Sequence, residues 1–107
     1  MLYSIPGRCH IQIDVETMVR LAEFPNIRAI KEAGGVTERV VQLRAALPPG
    51  FEILSGDDVL TIDFMKAGAV GVVSVASNLI PGAMADLTQA MLEGRIADAE
   101  EIGRAHV

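Results

Sequence analysis

The chemistry of this chain starts from one lysine. Lys31 lies in "AIKEAGG" (29–35), inside a short apolar run closed by two glycines. An ammonium entering a core has to be paired, solvated or neutralised. If the run is a strand, alternation sets Ile27, Ala29 and Lys31 on one face and Arg28, Ile30 and Glu32 on the other. Where the first set faces a cavity, small Ala29 leaves room beside the amine. Desolvation then keeps part of the lysine as free amine, which can attack a ketone. On this reading Lys31 is a Schiff-base nucleophile. Two plainer arrangements stay open: a pair with Glu32, or a side chain that reaches solvent from the strand end.

The other reactive residue types carry less by themselves. Tyr3 can fill a core with its hydroxyl at the wet end, and Arg8 can be a surface charge. Cys9 beside His10 suggests a nucleophile pair, but neighbours on an extended segment point apart. "SGDD" (55–58) reads mainly as a turn and a helix cap. Two histidines with no spaced carboxylate–histidine cluster predict no metal site. The glycines match neither a P-loop nor a dinucleotide fingerprint, and no cofactor is expected.

The elements that must position Lys31 read as strands followed by helices. Strand candidates are 2–5, 27–32, 51–55 and 71–75. Asp14 can cap a helix carrying Val15, Met18, Val19 and Ala22. A second helix carries Val36, Val40, Val41 and Leu43 to Leu47 and stops at "PPG" (48–50). Asp57 and Asp58 suit the start of a third, through Leu60, Phe64 and Met65 to Gly68. Pro81 suits the first turn of a fourth, with Met84, Leu87 and Met91 before Gly94. "IADAEEIGRAHV" (96–107) reads as part of one more. The expected organisation is a single domain, 1–107, of four βα units near 2–24, 27–47, 51–67 and 71–94 with a short helical tail. Alternating elements with buried strands predict an α/β fold with a parallel sheet. A full (β/α)₈ barrel needs roughly 250 residues, so four units make about half of one. An open four-stranded sheet competes with that reading, and periodicity does not decide between them.

Composition narrows the partners. Half of the 107 residues are hydrophobic, as in a globular domain. A net charge of −5 with no basic cluster argues against nucleic acid or an anionic membrane as partner. Cys9 is the only cysteine, so no internal disulfide is possible and a reducing compartment fits. No basic-then-apolar leader is seen, and "AGAVGVVSVA" (67–76) is too short to span a bilayer. A soluble, cytoplasmic protein is expected.

Four motifs together resemble one family. "YSIPGR" (3–8), "IKEAGG" (30–35), "LSGDD" (54–58) and "GVVSV" (71–75) are similar, in order and spacing, to the second half of the dihydrodipicolinate synthase family of pyruvate-dependent (β/α)₈ barrels. The resemblance implies that Lys31 forms the imine with pyruvate and that Tyr3 moves protons beside it. It implies that Arg8 binds the carboxylate of a small aldehyde acid, aspartate semialdehyde, for synthesis of 4-hydroxy-tetrahydrodipicolinate in the lysine pathway. Gly56 and Val73 match positions whose backbone lines the pyruvate pocket. Ser4 stands where the family usually has asparagine, Cys9–His10 replace threonine–glycine, and Gly34 replaces a common serine. The family's first four βα units are not in this chain, nor are a glycine–threonine–threonine motif and a neighbouring subunit's tyrosine, which complete the proton relay.

Four parallel strands with one helix layer leave an apolar inner face and two unpaired edges. Closure by self-association is expected, most simply as a homodimer, with larger homo-oligomers also open. Two functions follow. One is a lyase or aldolase of the synthase type with weak or no full turnover. The other is a catalytically inert, self-assembling half-barrel that retains family residues.

Overall fold

A computed structural model of the chain describes residues 1–106. Its elements are β1 (Leu2–Ser4), α1 (Pro6–Cys9), α2 (Val15–Leu21), β2 (Ala29–Glu32), α3 (Thr37–Ala46), β3 (Glu52–Ser55), α4 (Thr61–Lys66), β4 (Gly71–Val72), α5 (Pro81–Leu92) and α6 (Ile96–His106). The four strands form one parallel sheet in the order β1-β2-β3-β4. Parallel neighbours in chain order require a crossover between them, which the helices supply.

The pleat sorts the strand residues. Ile30, Glu32, Ile53 and Ser55 are buried, whereas Ala29, Lys31 and Leu54 are only half-buried and Tyr3 is exposed. The helix layer therefore covers one face of the sheet. Met18 of α2, Val40 and Leu43 of α3 and Phe64 of α4 meet Ile30 and Ile53 there, closed at one end by Leu47 and Phe51. Each fully buried large side chain is worth about 1.5–3 kcal/mol of transfer free energy. Leu87 and Ala90 of α5 form a second cluster with Ala99 of α6, joined by Ile62. Lys66 and Glu100 bridge α4 and α6 at 2.9 Å. Their hydrogen bond holds the Glu100 carboxyl below, and the Lys66 amine above, their ordinary ranges. Both groups are exposed, so solvent and salt leave the pair little weight.

Several local expectations change. The second strand begins at Ala29, so its alternation stops short of Ile27, which packs on the helix-side core instead. The fourth strand is Gly71–Val72 rather than 71–75; from Ser74 onward the chain turns to Asp58, which accepts from the Ser74 hydroxyl and the Val75 and Ala76 N–H groups. Val36 precedes its helix, and Val19 and Val41 point to solvent. Cys9 and His10 are not on an extended segment. Cys9 ends α1, and His10 takes a left-handed φ of 61°, with its N–H donating to the Pro6 carbonyl at 2.8 Å. Val107, the last residue of the expected tail, lies outside the described residues. Among the described residues no helix is long and apolar enough to cross a membrane.

Candidate active site at the carboxyl ends of the strands

One register row carries the candidate nucleophile. Tyr3, Lys31, Leu54 and Gly71 are partners across the four strands. Tyr3 and Lys31 thus stand side by side on the uncovered face, with Lys31 Nζ over the Tyr3 ring, 3.9 Å from its centroid. Such a contact of the protonated ammonium with the ring face contributes about 0.5–2 kcal/mol and orients the lysine side chain on that face. Tyr3 remains 48% exposed, so the pair opens away from the helix layer.

The strands are prolonged at this end by a repeated bond. Ala33, Gly56 and Val73 each follow a strand and donate an N–H to the last residue of the preceding one, at 2.9, 2.8 and 2.8 Å. Gly56 is thereby pressed against the lysine. A Cβ there would lie 2.7 Å from Ala33 Cβ and 3.2 Å from both the Glu32 carbonyl oxygen and Lys31 Cε. Only a glycine backbone fits that approach. Val73 sits just past β4 with its side chain partly exposed. Arg8 is exposed in α1, which follows β1 at the same end of the sheet. All five candidates, Tyr3, Arg8, Lys31, Gly56 and Val73, therefore belong to the carboxyl ends of the strands or the segments just after them.

The Lys31–Glu32 pair is not formed. Neighbours on a strand point to opposite faces, and Glu32 is fully buried on the helix side. Its Oε1 accepts from Arg39 Nε at 3.0 Å and its Oε2 from the Gly34 N–H at 2.9 Å. The aspartates of "SGDD" also differ from helix caps, since α4 starts only at Thr61. Asp57 closes a local turn onto the Val59 N–H at 2.9 Å. Asp58 reaches the loop after β4, accepting from the Ser74 hydroxyl and from the Val75 and Ala76 N–H groups at 3.0 and 2.9 Å. Sequence reasoning missed both connections. The burial of Glu32 had a readable signal: a carboxylate one residue from an inward-facing lysine enters the opposite layer and requires a cation there. The Asp58 link had none, because it depends on how two loops meet.

A hollow of about 360 Å³ between α4, α5 and α6 is lined by Val59, Ile62, Lys66, Leu87, Glu100 and Arg104. It lies on the helix side of the sheet and includes none of the five candidates. Among the described residues no group of histidine, cysteine and carboxylate side chains could hold a metal ion.

Comparison with known proteins places this arrangement. Residues 1–106 match the sequence model of the dihydrodipicolinate synthetase family. The chain is 50% identical over 102 residues to 4-hydroxy-tetrahydrodipicolinate synthase of Thermosynechococcus vestitus, covering 95% of this chain and 34% of that protein. The structure of the 4-hydroxy-tetrahydrodipicolinate synthase of Methylacidiphilum fumariolicum SolV superimposes with a TM-score of 0.96 at 52% identity, over 97% of this chain and 35% of the other. The chloride-inhibited dihydrodipicolinate synthase of Acinetobacter baumannii, complexed with pyruvate, gives 0.90 at 36% identity, over 96% and 35%. The chain thus spans about a third of the length of these relatives, and its four strands correspond to a contiguous part of their (β/α)₈ barrel. A match running from the first residue to the last described one, on a shared backbone, makes this chain a member of the dihydrodipicolinate synthetase family.

Proposed function

We propose that the chain carries the imine-forming part of a 4-hydroxy-tetrahydrodipicolinate synthase site, with Lys31 as the nucleophile toward pyruvate. The observation that carries this reading is the Lys31 amine lying 3.9 Å from the Tyr3 ring centroid on the open face, with Gly56 packed against its stem. The Lys31 amine adds to the pyruvate carbonyl, and loss of water leaves the imine; we assign the proton transfers of both steps to Tyr3, whose ring lies against the amine. Deprotonation of the pyruvate methyl then gives an enamine that attacks the aldehyde. Arg8 offers the aldehyde acid's carboxylate a planar, permanently charged fork. Gly56 and Val73 contribute backbone to the pyruvate pocket. The pyruvate held by the Acinetobacter enzyme, a protein of the same fold, supports the choice of keto acid. The test is incubation with pyruvate, borohydride reduction and peptide mapping, with the adduct expected on Lys31.

The 107-residue chain alone is expected to form the imine faster than it condenses it. Its single tyrosine is Tyr3, and it contains no glycine–threonine–threonine run. Positioned proton transfer is typically worth about 10²–10⁴-fold, and Tyr3 lacks relay partners from its own chain. Condensation of pyruvate with aspartate semialdehyde should therefore be slow, and Tyr3→Phe should reduce it little further. Rapid turnover that Tyr3→Phe cuts by about 10² or more would show that a complete relay has been assembled around Tyr3.

A second reading, an inert self-assembling half-barrel, is favoured by the open edges of β1 and β4 and by the uncovered inner face. Both readings place a second copy of this chain on that face, since cyclic closure satisfies both edges at once. Light scattering behind a sizing column should return a homodimer or larger homo-oligomer at micromolar concentration. A stable compact monomer would end the closed-barrel argument and leave the face to other segments of a longer chain.

A further inference from the structure

Directly behind the site row runs a second row of polar side chains. Ser4, Glu32 and Ser55 are register partners one residue beyond Tyr3, Lys31 and Leu54, and all three are buried on the helix side. Each fastens a segment that leaves the sheet. Ser4 Oγ accepts from the Ile13 N–H at 3.3 Å, and Ser55 Oγ accepts from the Asp57 N–H at 3.1 Å. Glu32 does more, because Arg39 extends it. While Arg39 Nε holds Glu32 Oε1, Arg39 Nη2 donates to the carbonyl of Ile13. Ile13 therefore has its N–H tied to β1 and its carbonyl tied, through one guanidinium, to the strand of Lys31. Residue 34 must be small for this: a Cβ on Gly34 would lie 2.7 Å from Glu32 Oε2.

From this geometry we infer that Glu32 and Arg39 are a positioning pair, which holds the segment running from Arg8 to Ile13 at a set distance from Lys31. A buried ion pair is a poor device for stability alone, because apolar residues of similar volume commonly do as well or better. What apolar residues cannot do is satisfy the Ile13 carbonyl, which lies on non-repetitive backbone between α1 and α2. The rigid guanidinium presents two nitrogens, Nε and Nη2, to the two acceptors in a fixed fork, whereas an ammonium donates from a single nitrogen. The pair touches no substrate. Its effect passes through Ile13 to the loop of Arg8, so it governs how the second carboxylate is met rather than whether the amine reacts. This step rests on the roles proposed above for Lys31 and Arg8.

Arg39→Lys keeps a cation for Glu32 and gives up the second arm. The double variant Glu32→Gln/Arg39→Met removes both charges together, so neither is left buried alone. Three measurements on each variant, and on Arg8→Ala, test the pair: amide hydrogen exchange at Ile13, borohydride trapping of pyruvate on Lys31, and calorimetric titration of succinate into pyruvate-saturated protein. Loss of one charged hydrogen bond should speed Ile13 exchange by about tenfold and weaken succinate about five- to tenfold, approaching Arg8→Ala, with trapping within about threefold of the parent. Unchanged Ile13 exchange would overturn the tether. Trapping that falls as far as succinate affinity would reduce the pair to general support and overturn its positioning role. A parent chain that traps no pyruvate would instead remove the proposed function, and Ile13 exchange would still decide whether the tether exists. A parent that traps pyruvate but binds no succinate would overturn the link to Arg8.

Discussion

Lys31→Ala is expected to abolish the reducible pyruvate adduct at residue 31, leaving only the slow background that any exposed amine gives. The competing amines are Lys66, which is paired with Glu100 on the far side of the helix layer, and the amino terminus. Lys31, by contrast, lies against the ring of Tyr3. Lys31→Arg is the sharper control. It keeps the positive charge over the Tyr3 ring and the long stem against Gly56, but a guanidinium does not form the imine at working pH. Both variants should fold like the parent, because Lys31 lies on the uncovered face and contributes nothing to the core around Phe64. The measurement is intact mass after reduction, followed by peptide mapping. Equal modification of Lys66 and the amino terminus, with residue 31 untouched in the parent, would leave Lys31 a purely structural side chain.

Gly56→Ala should damage both fold and site. At 2.7 Å from Ala33 Cβ, the new methyl meets an atom fixed to backbone that is itself bonded to Ser4. The collision cannot be relieved by turning a side chain, so the β2 and β3 ends must separate. Overpacking of this kind costs about 1–3 kcal/mol, readable as a lower denaturant midpoint. The same methyl lies 3.2 Å from Lys31 Cε, so the lysine stem must shift as well. A displacement near 1 Å in a reacting group can cost about 10²-fold, and pyruvate trapping should slow by about 10- to 100-fold. Gly82→Ala is the matched control. Gly82 lies in α5 with open space around its Cβ position, so alanine there should gain about 0.4–1 kcal/mol and leave trapping alone. A Gly56→Ala chain with parental stability and trapping rate would remove this glycine from the site.

The readable parts of this protein were those carried by near neighbours in the chain. Pro81 before Met84, Leu87 and Met91 describes α5 because a helix start and a helical stripe are both local. "PPG" ends α3 for the same reason: no proline N–H continues the ladder. Errors gathered where a local signal competed with a distant partner. Asp57 and Asp58 look like helix caps, yet the Val75 and Ala76 N–H groups claim Asp58, and α4 waits until Thr61. Three valines in "GVVSV" suggest a longer last strand, yet it stops at Val72, and the same carboxylate takes the Val75 and Ala76 N–H groups. Cys9 and His10 read as extended because α1, at four residues, is too short to leave a periodic trace.

For the site, alternation within one strand set Lys31 and Glu32 on opposite faces, but a pair between them stayed open until the structure gave Glu32 to Arg39. The family motifs needed only order and spacing along the chain. Which residues meet across the sheet was decided by tertiary structure alone. Register sets Tyr3 beside Lys31, packs Gly56 against its stem and gives Glu32 its Arg39. Those contacts join residues from different elements, and a shift of one residue in pairing would turn every side chain of a strand to the other face. Register is fixed only when the core around Ile30, Ile53 and Phe64 closes, so no stretch of sequence contains it.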